Sequence, residues 1–183
     1  ENMKKILLFL CSMLLVLATF GIAGAVPINF DVAGASGGSS VALNVTSSWG
    51  LVGDPIAWLV PSLDSETFSL NDGESETFDF FNITVYGIFG GGEADVTATL
   101  AFDQPPSSGT GSGSGSYFTL FGLLSSGNLN WTTQPSPVYL ASGDWFEIEF
   151  SNLQDCGLGN TATVEATVTA HASVPEPATI LLL

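Results

Sequence analysis

The chemistry this chain can perform is bounded first by what it lacks. Its only Lys and Arg residues are Lys4 and Lys5, and its only histidine is His171. A nucleophilic triad needs a base, and His171 falls on the outward side of a terminal alternating segment, where a solvated surface residue is expected. Zinc sites need several His or Cys ligands, and residues 26–173 offer only His171 and Cys156. Cys156, in Asp155-Cys156-Gly157, has no neighbouring base that would make it a nucleophile and no second Cys for an internal disulfide, since Cys11 lies near the N-terminus.

Carboxylates are the remaining ionisable groups. Of the eighteen Asp and Glu, Glu1 and Glu176 lie outside residues 26–173, which leaves sixteen there and no basic residue. Phosphate binding needs a basic footprint, so nucleic acid and anionic lipid surfaces are excluded as partners. Glycoside hydrolysis needs two carboxylates facing one cleft. Glu147 and Glu149 share a strand face, but that spacing is the ordinary solvent-facing pattern. Asp72, Glu74 and Glu76 cluster about a turn and form a candidate calcium site, since calcium takes several oxygen ligands on a bent loop. Their spacing is not that of a full calcium loop, and a solvated acidic turn is the competing reading. The expectation is a protein without catalytic residues and without a required cofactor.

Tryptophan supplies the third candidate chemistry. Trp49, Trp58, Trp131 and Trp145 are available for stacking on sugar rings, as in carbohydrate-binding sandwiches. Trp145 lies opposite the Phe146/Ile148/Phe150 face and beside Asp144 and Glu147, which makes it the leading stacking candidate, with Trp131 second. Burial in a second core is the alternative for both. Asn44-Val45-Thr46, Asn82-Ile83-Thr84 and Asn130-Trp131-Thr132 match glycosylation acceptors by pattern alone.

The elements that must position these residues read as strands. In 94–103, Val96, Ala98, Leu100 and Phe102 face in while Asp95, Thr97 and Thr99 face out. In 144–151, Phe146, Ile148 and Phe150 oppose Trp145, Glu147 and Glu149. In 161–172, Ala162, Val164, Ala166, Val168 and Ala170 face in. A period of two with one apolar face marks a strand packed on a core from one side. Further strands are expected at 28–32, 41–46, 56–60, 66–70, 76–86, 117–123, 129–132 and 138–140. Phe80-Phe81 breaks alternation and predicts a bulge or a strand buried on both faces. Asn71-Asp72-Gly73 predicts a hairpin turn. Gly90-Gly91-Gly92 reads as a short flexible loop, and Ser107–Ser116 as a Gly/Ser linker crossing an edge or end of the fold. The expected fold is all-β: a single antiparallel β-sandwich, jelly-roll or immunoglobulin-like, over residues 26–173.

The two ends read as export signals. Lys4-Lys5, the apolar run 6–22 and the small-x-small site Ala23-Gly24-Ala25 form a secretory signal peptide over 3–25, with cleavage before Val26. At the other end Val174-Pro175-Glu176-Pro177 precedes the apolar run 178–183. VPEPATILLL resembles the start of a PEP-CTERM sorting signal, in which a Pro-Glu-Pro motif leads into a membrane helix and a short Arg-rich end. Residues 174–183 are read as the first, truncated part of that signal. The segments 73–81 and 143–150 are also similar to strand phrases of exported PEP-CTERM proteins. The resemblance implies handling by signal peptidase and then by an exosortase-type sorting enzyme. It implies transient anchoring in the inner membrane of a Gram-negative bacterium, with membrane contact only through the two terminal segments. The implied destination is the cell surface or the biofilm matrix, with exopolysaccharide as a partner. The function expected is therefore that of a non-enzymatic surface or matrix protein, with a carbohydrate-binding module and a calcium-stabilised adhesin as alternatives.

Overall fold

In the computed structural model the described residues are 25–121, 123–154 and 161–173. The signal peptide body, Cys156 and the sorting motif Val174–Pro177 lie outside them. Among the described residues nine strands form one antiparallel sheet: β1 (Ile28–Ala33), β2 (Ser40–Leu59), β3 (Thr67–Leu70), β4 (Ser75–Gln104), β5 (Ser107–Leu120), β6 (Leu123–Thr133), β7 (Val138–Tyr139), β8 (Trp145–Phe150) and β9 (Thr161–His171). Single 3-10 turns at Ala35–Gly37 and Leu63–Ser65 are the helical elements among the described residues, and no helix there is long and apolar enough to cross a membrane.

Strand β4 organises the sheet. It pairs with β2 along most of its length, from Phe81 opposite Leu59 to Thr99 opposite Ser40. On its other side it pairs first with β9, as far as Thr84, and then with β5 from Phe89 onward. The partner changes where the β2–β4 ribbon turns, at Gly87 and Gly90, whose φ of 141° and 145° suit glycine. Phe78 and Phe102 prove the turn. A straight strand would hold residues this far apart in sequence about 80 Å from each other. Instead Phe78 packs on Phe68 at 5.7 Å, Phe68 on Phe30 at 5.0 Å and Phe30 on Phe102 at 5.5 Å. The sheet thus folds over itself into two layers. One contains β7, β8, β9 and the first half of β4. The other contains β6, β5, the second half of β4 with the first half of β2 beside it, β1 and β3.

The core lies between the layers. Small residues on β9 make room for large ones on its neighbours: Ala166 stands in register with both Phe78 and Phe150, and Phe150 stacks on Phe80 at 5.1 Å. Phe146 meets Phe30 and Phe102 of the facing layer at 5.1 and 5.3 Å. The inward sets expected for 94–103, 144–151 and 161–172 are all buried. Phe80 and Phe81 are both fully buried, and the β4–β9 register shifts between Asp79 and Phe81.

Three expectations need correction. The Gly/Ser segment 107–116 is not a linker; it is most of β5, paired along its length with β4 and, from Ser112 onward, with β6 as well. Its glycines face inward and its Ser and Thr residues outward. A Cβ on Gly111 would lie 3.0 Å from the Phe150 ring, and one on Gly115 would lie 2.2 Å from the Asn128 carbonyl oxygen. A larger residue would meet the facing layer at Gly111 and the neighbouring strand β6 at Gly115. Gly90-Gly91-Gly92 is likewise continuous strand within β4, buried rather than a flexible loop. The turn at Asn71–Gly73 forms, with Gly73 at φ 76° and Glu74 N donating to Asn71 O at 3.0 Å, but it makes no hairpin. β3 pairs with β1 and the start of β4 pairs with β9, so the turn arches from one layer to the other, driven by the Phe68–Phe78 contact across the core.

Candidate functional site

The outer face of the β2–β4–β5–β6 layer is built as successive cross-strand rows. Asn44, Asp95, Ser114 and Asn130 stand in register, then Ser47, Glu93, Ser116 and Asn128. The next row is Trp49, Gly91, Phe118 and Ser126, and the last contains Leu51, Phe89 and Leu120. Side chains alternate across a sheet, so these rows share one surface. It passes from hydroxyls, amides and two carboxylates into a cluster of rings.

The rings are Trp49, Phe89 and Phe118. Trp49 meets Phe89 edge-on, with centroids 5.4 Å apart and planes at 77°. Phe118 lies 6.2 Å from Trp49 and 5.8 Å from Phe89. Gly91 sits between Trp49 and Phe118 in register, so no side chain separates them. Trp49 remains 54 % exposed and Phe89 46 %. An exposed aromatic cluster of this kind marks a binding surface more often than a chance patch. Leu51, in register with Phe89, is also exposed, as are Tyr86, Ile88 and Phe121.

The polar rows form a shallow depression of about 360 Å³, lined by Thr46, Glu93, Asp95, Ser116, Asn128 and Asn130 among others. Asn128 Oδ1 accepts a hydrogen bond from Ser116 N at 3.0 Å, which fixes its orientation. Glu93 and Asp95 are exposed and have no Lys or Arg beside them, because residues 26–173 contain none. Beneath the rings Tyr117 is buried with no hydrogen-bond partner for its hydroxyl. Burial and the charge of Asp54 raise its pKa above the ordinary tyrosine value. Tyr117 also lines an apolar cavity of about 40 Å³, room for little more than a water molecule.

The residues singled out from sequence are placed differently. Trp131 belongs to the core edge: its ring packs on Phe150 at 4.9 Å and its Nε1 donates to Ser151 O at 3.0 Å. Trp145 is half-buried in a ladder of cross-strand rings, with Tyr139 on one side at 6.0 Å and His171 on the other at 3.7 Å. His171 therefore covers one face of the Trp145 ring, and Tyr139 flanks the other at an offset. His171 is half-buried in that stack, and its Nε2 lies 3.9 Å from Glu147 Oε2. Glu147 and Glu149 are exposed on the outer face of β8, across from Thr169 and Thr167.

The acidic turn holds the chain rather than converging on an ion. Asp72 Oδ1 accepts from Ala172 N at 3.1 Å, and Glu74 Oε2 accepts from Asn71 N and Nδ2 at 2.8 and 2.9 Å. Glu76 stands on β4 opposite Val168. Among the described residues no three His, Cys, Asp or Glu side chains group as metal ligands. Val26, at the expected cleavage site, is exposed just before β1, and Ala25 is partly buried against the core. Asp144 accepts from the Ser142 hydroxyl and from Ser173 N and Oγ, which together hold its carboxyl below the usual aspartate range.

Sequence reasoning missed Phe89 and Phe118 and gave Trp49 no special place. The signal was present in the alternation of Gly with Ser or Thr over 109–116, which is a period of two with the smallest side chain inward. Comparison of the chain with known protein families, curated proteins and solved structures returned no match.

Proposed function

We propose that this protein is a non-enzymatic, exported surface or matrix component that holds polysaccharide on the outer face of its β2–β4–β5–β6 layer. The carrying observation is the Trp49–Phe89–Phe118 cluster, in which Trp49 and Phe89 are exposed, continuous with a depression of amides, hydroxyls and carboxylates. Sugar rings have apolar faces that stack on aromatic rings and hydroxyl rims that hydrogen-bond to amides and carboxylates. A rigid sheet face carrying both suits an extended glycan.

The export half of the reading rests on the terminal segments: the signal-like 3–25 and the PEP-CTERM-like Val174-Pro175-Glu176-Pro177. It includes processing by signal peptidase, sorting by an exosortase-type enzyme and delivery to the cell surface or extracellular matrix. The acidic composition fits such a site, since high like charge keeps a protein soluble in a crowded matrix. Electrophoresis of the protein through gels containing matrix glycans tests the binding half. Retardation by at least one glycan is expected; free migration through neutral, amino-sugar and uronate polymers alike would remove the proposal.

A further inference from the structure

The depression beside the rings has a composition that selects among glycans. Its ionisable groups are Glu93 and Asp95, which stand two residues apart on one strand and point to the same exposed face. The remaining polar groups are neutral amides and hydroxyls, among them Asn128, Asn130 and Ser116. The chain's lysines are confined to Lys4 and Lys5, so no cation is built into this face. A polyuronate laid here would meet two carboxylates with its own. A neutral sugar would displace water from both and return hydroxyl hydrogen bonds, but no opposite charge. A sugar bearing an ammonium group removes the same water and supplies the missing charge, forming charge-assisted hydrogen bonds.

We infer that the site takes an amino-sugar polymer with free ammonium groups: sugar faces lie on Trp49, Phe89 and Phe118, and ammonium groups meet Glu93 and Asp95. This rests on the glycan-binding reading and specifies its ligand class. Recognition combines two features on adjacent rows of one sheet face, Ser47–Glu93–Ser116–Asn128 and Trp49–Gly91–Phe118–Ser126. The opposite layer serves as the comparison: it also carries exposed carboxylates, Glu147, Glu149 and Glu165, but its rings are stacked on one another as the Tyr139–Trp145–His171 ladder.

The test is calorimetric titration of the protein with three oligomers of equal length: fully deacetylated glucosamine, N-acetylglucosamine and a uronate. The deacetylated oligomer is expected to bind at least about tenfold more tightly than the acetylated one, and the uronate not measurably. The double variant Glu93→Gln/Asp95→Asn should lose that preference. Glu147→Gln/Glu149→Gln removes the same charge from the other layer and should retain it, with circular dichroism confirming that both variants fold. Equal weakening by the two double variants would mean diffuse charge attraction and would overturn the inference. Equal or tighter binding of the acetylated oligomer would overturn it too, while leaving the glycan-binding reading intact. Failure of all three oligomers to bind would count against that reading as well.

Discussion

Trp49 and Phe118 stand two strands apart on one sheet face, and the residue between them in register is Gly91. That vacancy lets the rings approach to 6.2 Å. A Cβ on Gly91 would also lie 2.5 Å from the Tyr117 carbonyl oxygen. Gly91→Ala is therefore expected to force the strands apart, with a loss of about 1–3 kcal/mol of stability and weaker glycan retardation. Urea unfolding and affinity electrophoresis on the same preparation check both.

The inward glycines of β5 lead to a second expectation. Gly115→Ala should destabilise by about 1–3 kcal/mol, because the added methyl would meet the Asn128 carbonyl oxygen at 2.2 Å. Ser108→Ala, on the outward face, should change stability by less than about 0.5 kcal/mol. Equal effects from the two substitutions would show that 107–116 is not a packed strand.

These glycines also explain what could be read from the sequence. Strands β8 and β9 and the second half of β4 were legible because Phe, Val and Ala alternate there with Glu and Thr. β5 was not, because its inward residue has no side chain and a buried Gly looks the same as a flexible one. The β2–β4 ribbon was seen as separate strands for the same reason: Gly90-Gly91-Gly92 read as a loop, although the pairing runs through it. The ring cluster was illegible until that pairing was known. Trp49, Phe89 and Phe118 are distant in sequence, and only the register brings them together. Trp145 looked exposed from its neighbours, but alternation cannot show that Tyr139 and His171 flank it across two strand pairs.

Tyr117→Phe removes a buried hydroxyl that has no partner. Leaving such a group unsatisfied is costly, so the variant should match wild type or exceed it by up to about 1 kcal/mol. The pH response gives an independent check. The folded pKa is raised, chiefly by burial, so the fold disfavours the phenolate. Wild-type stability is then complete below the ordinary tyrosine value and falls as pH rises through it toward the folded one, whereas the Phe variant lacks this loss. Thermal melts across the alkaline range distinguish the two.

Asp144 gives the opposite pH dependence. Its folded pKa is lowered, first by the Ser142 hydroxyl and then by the Ser173 amide and hydroxyl. Its contribution to stability is therefore present above the ordinary aspartate value and is lost as pH falls through the lowered folded value. Asp144→Asn should melt below wild type at neutral pH, and the gap should narrow as the solution is acidified. A gap that stays constant into strong acid would show that the carboxylate charge is not what ties Ser173 to the β7–β8 turn.

The most direct measurement compares Trp49→Ala with Trp145→Ala in affinity electrophoresis through an amino-sugar polymer. Trp49 contributes an open ring to the outer face, whereas Trp145 is flanked by Tyr139 and His171. Trp49→Ala is expected to weaken retardation at least about tenfold, a change of about 1.4 kcal/mol, and Trp145→Ala to leave it near wild type. Undiminished retardation of Trp49→Ala, or a loss confined to Trp145→Ala, would contradict the placement of the glycan site on the β2–β4–β5–β6 face.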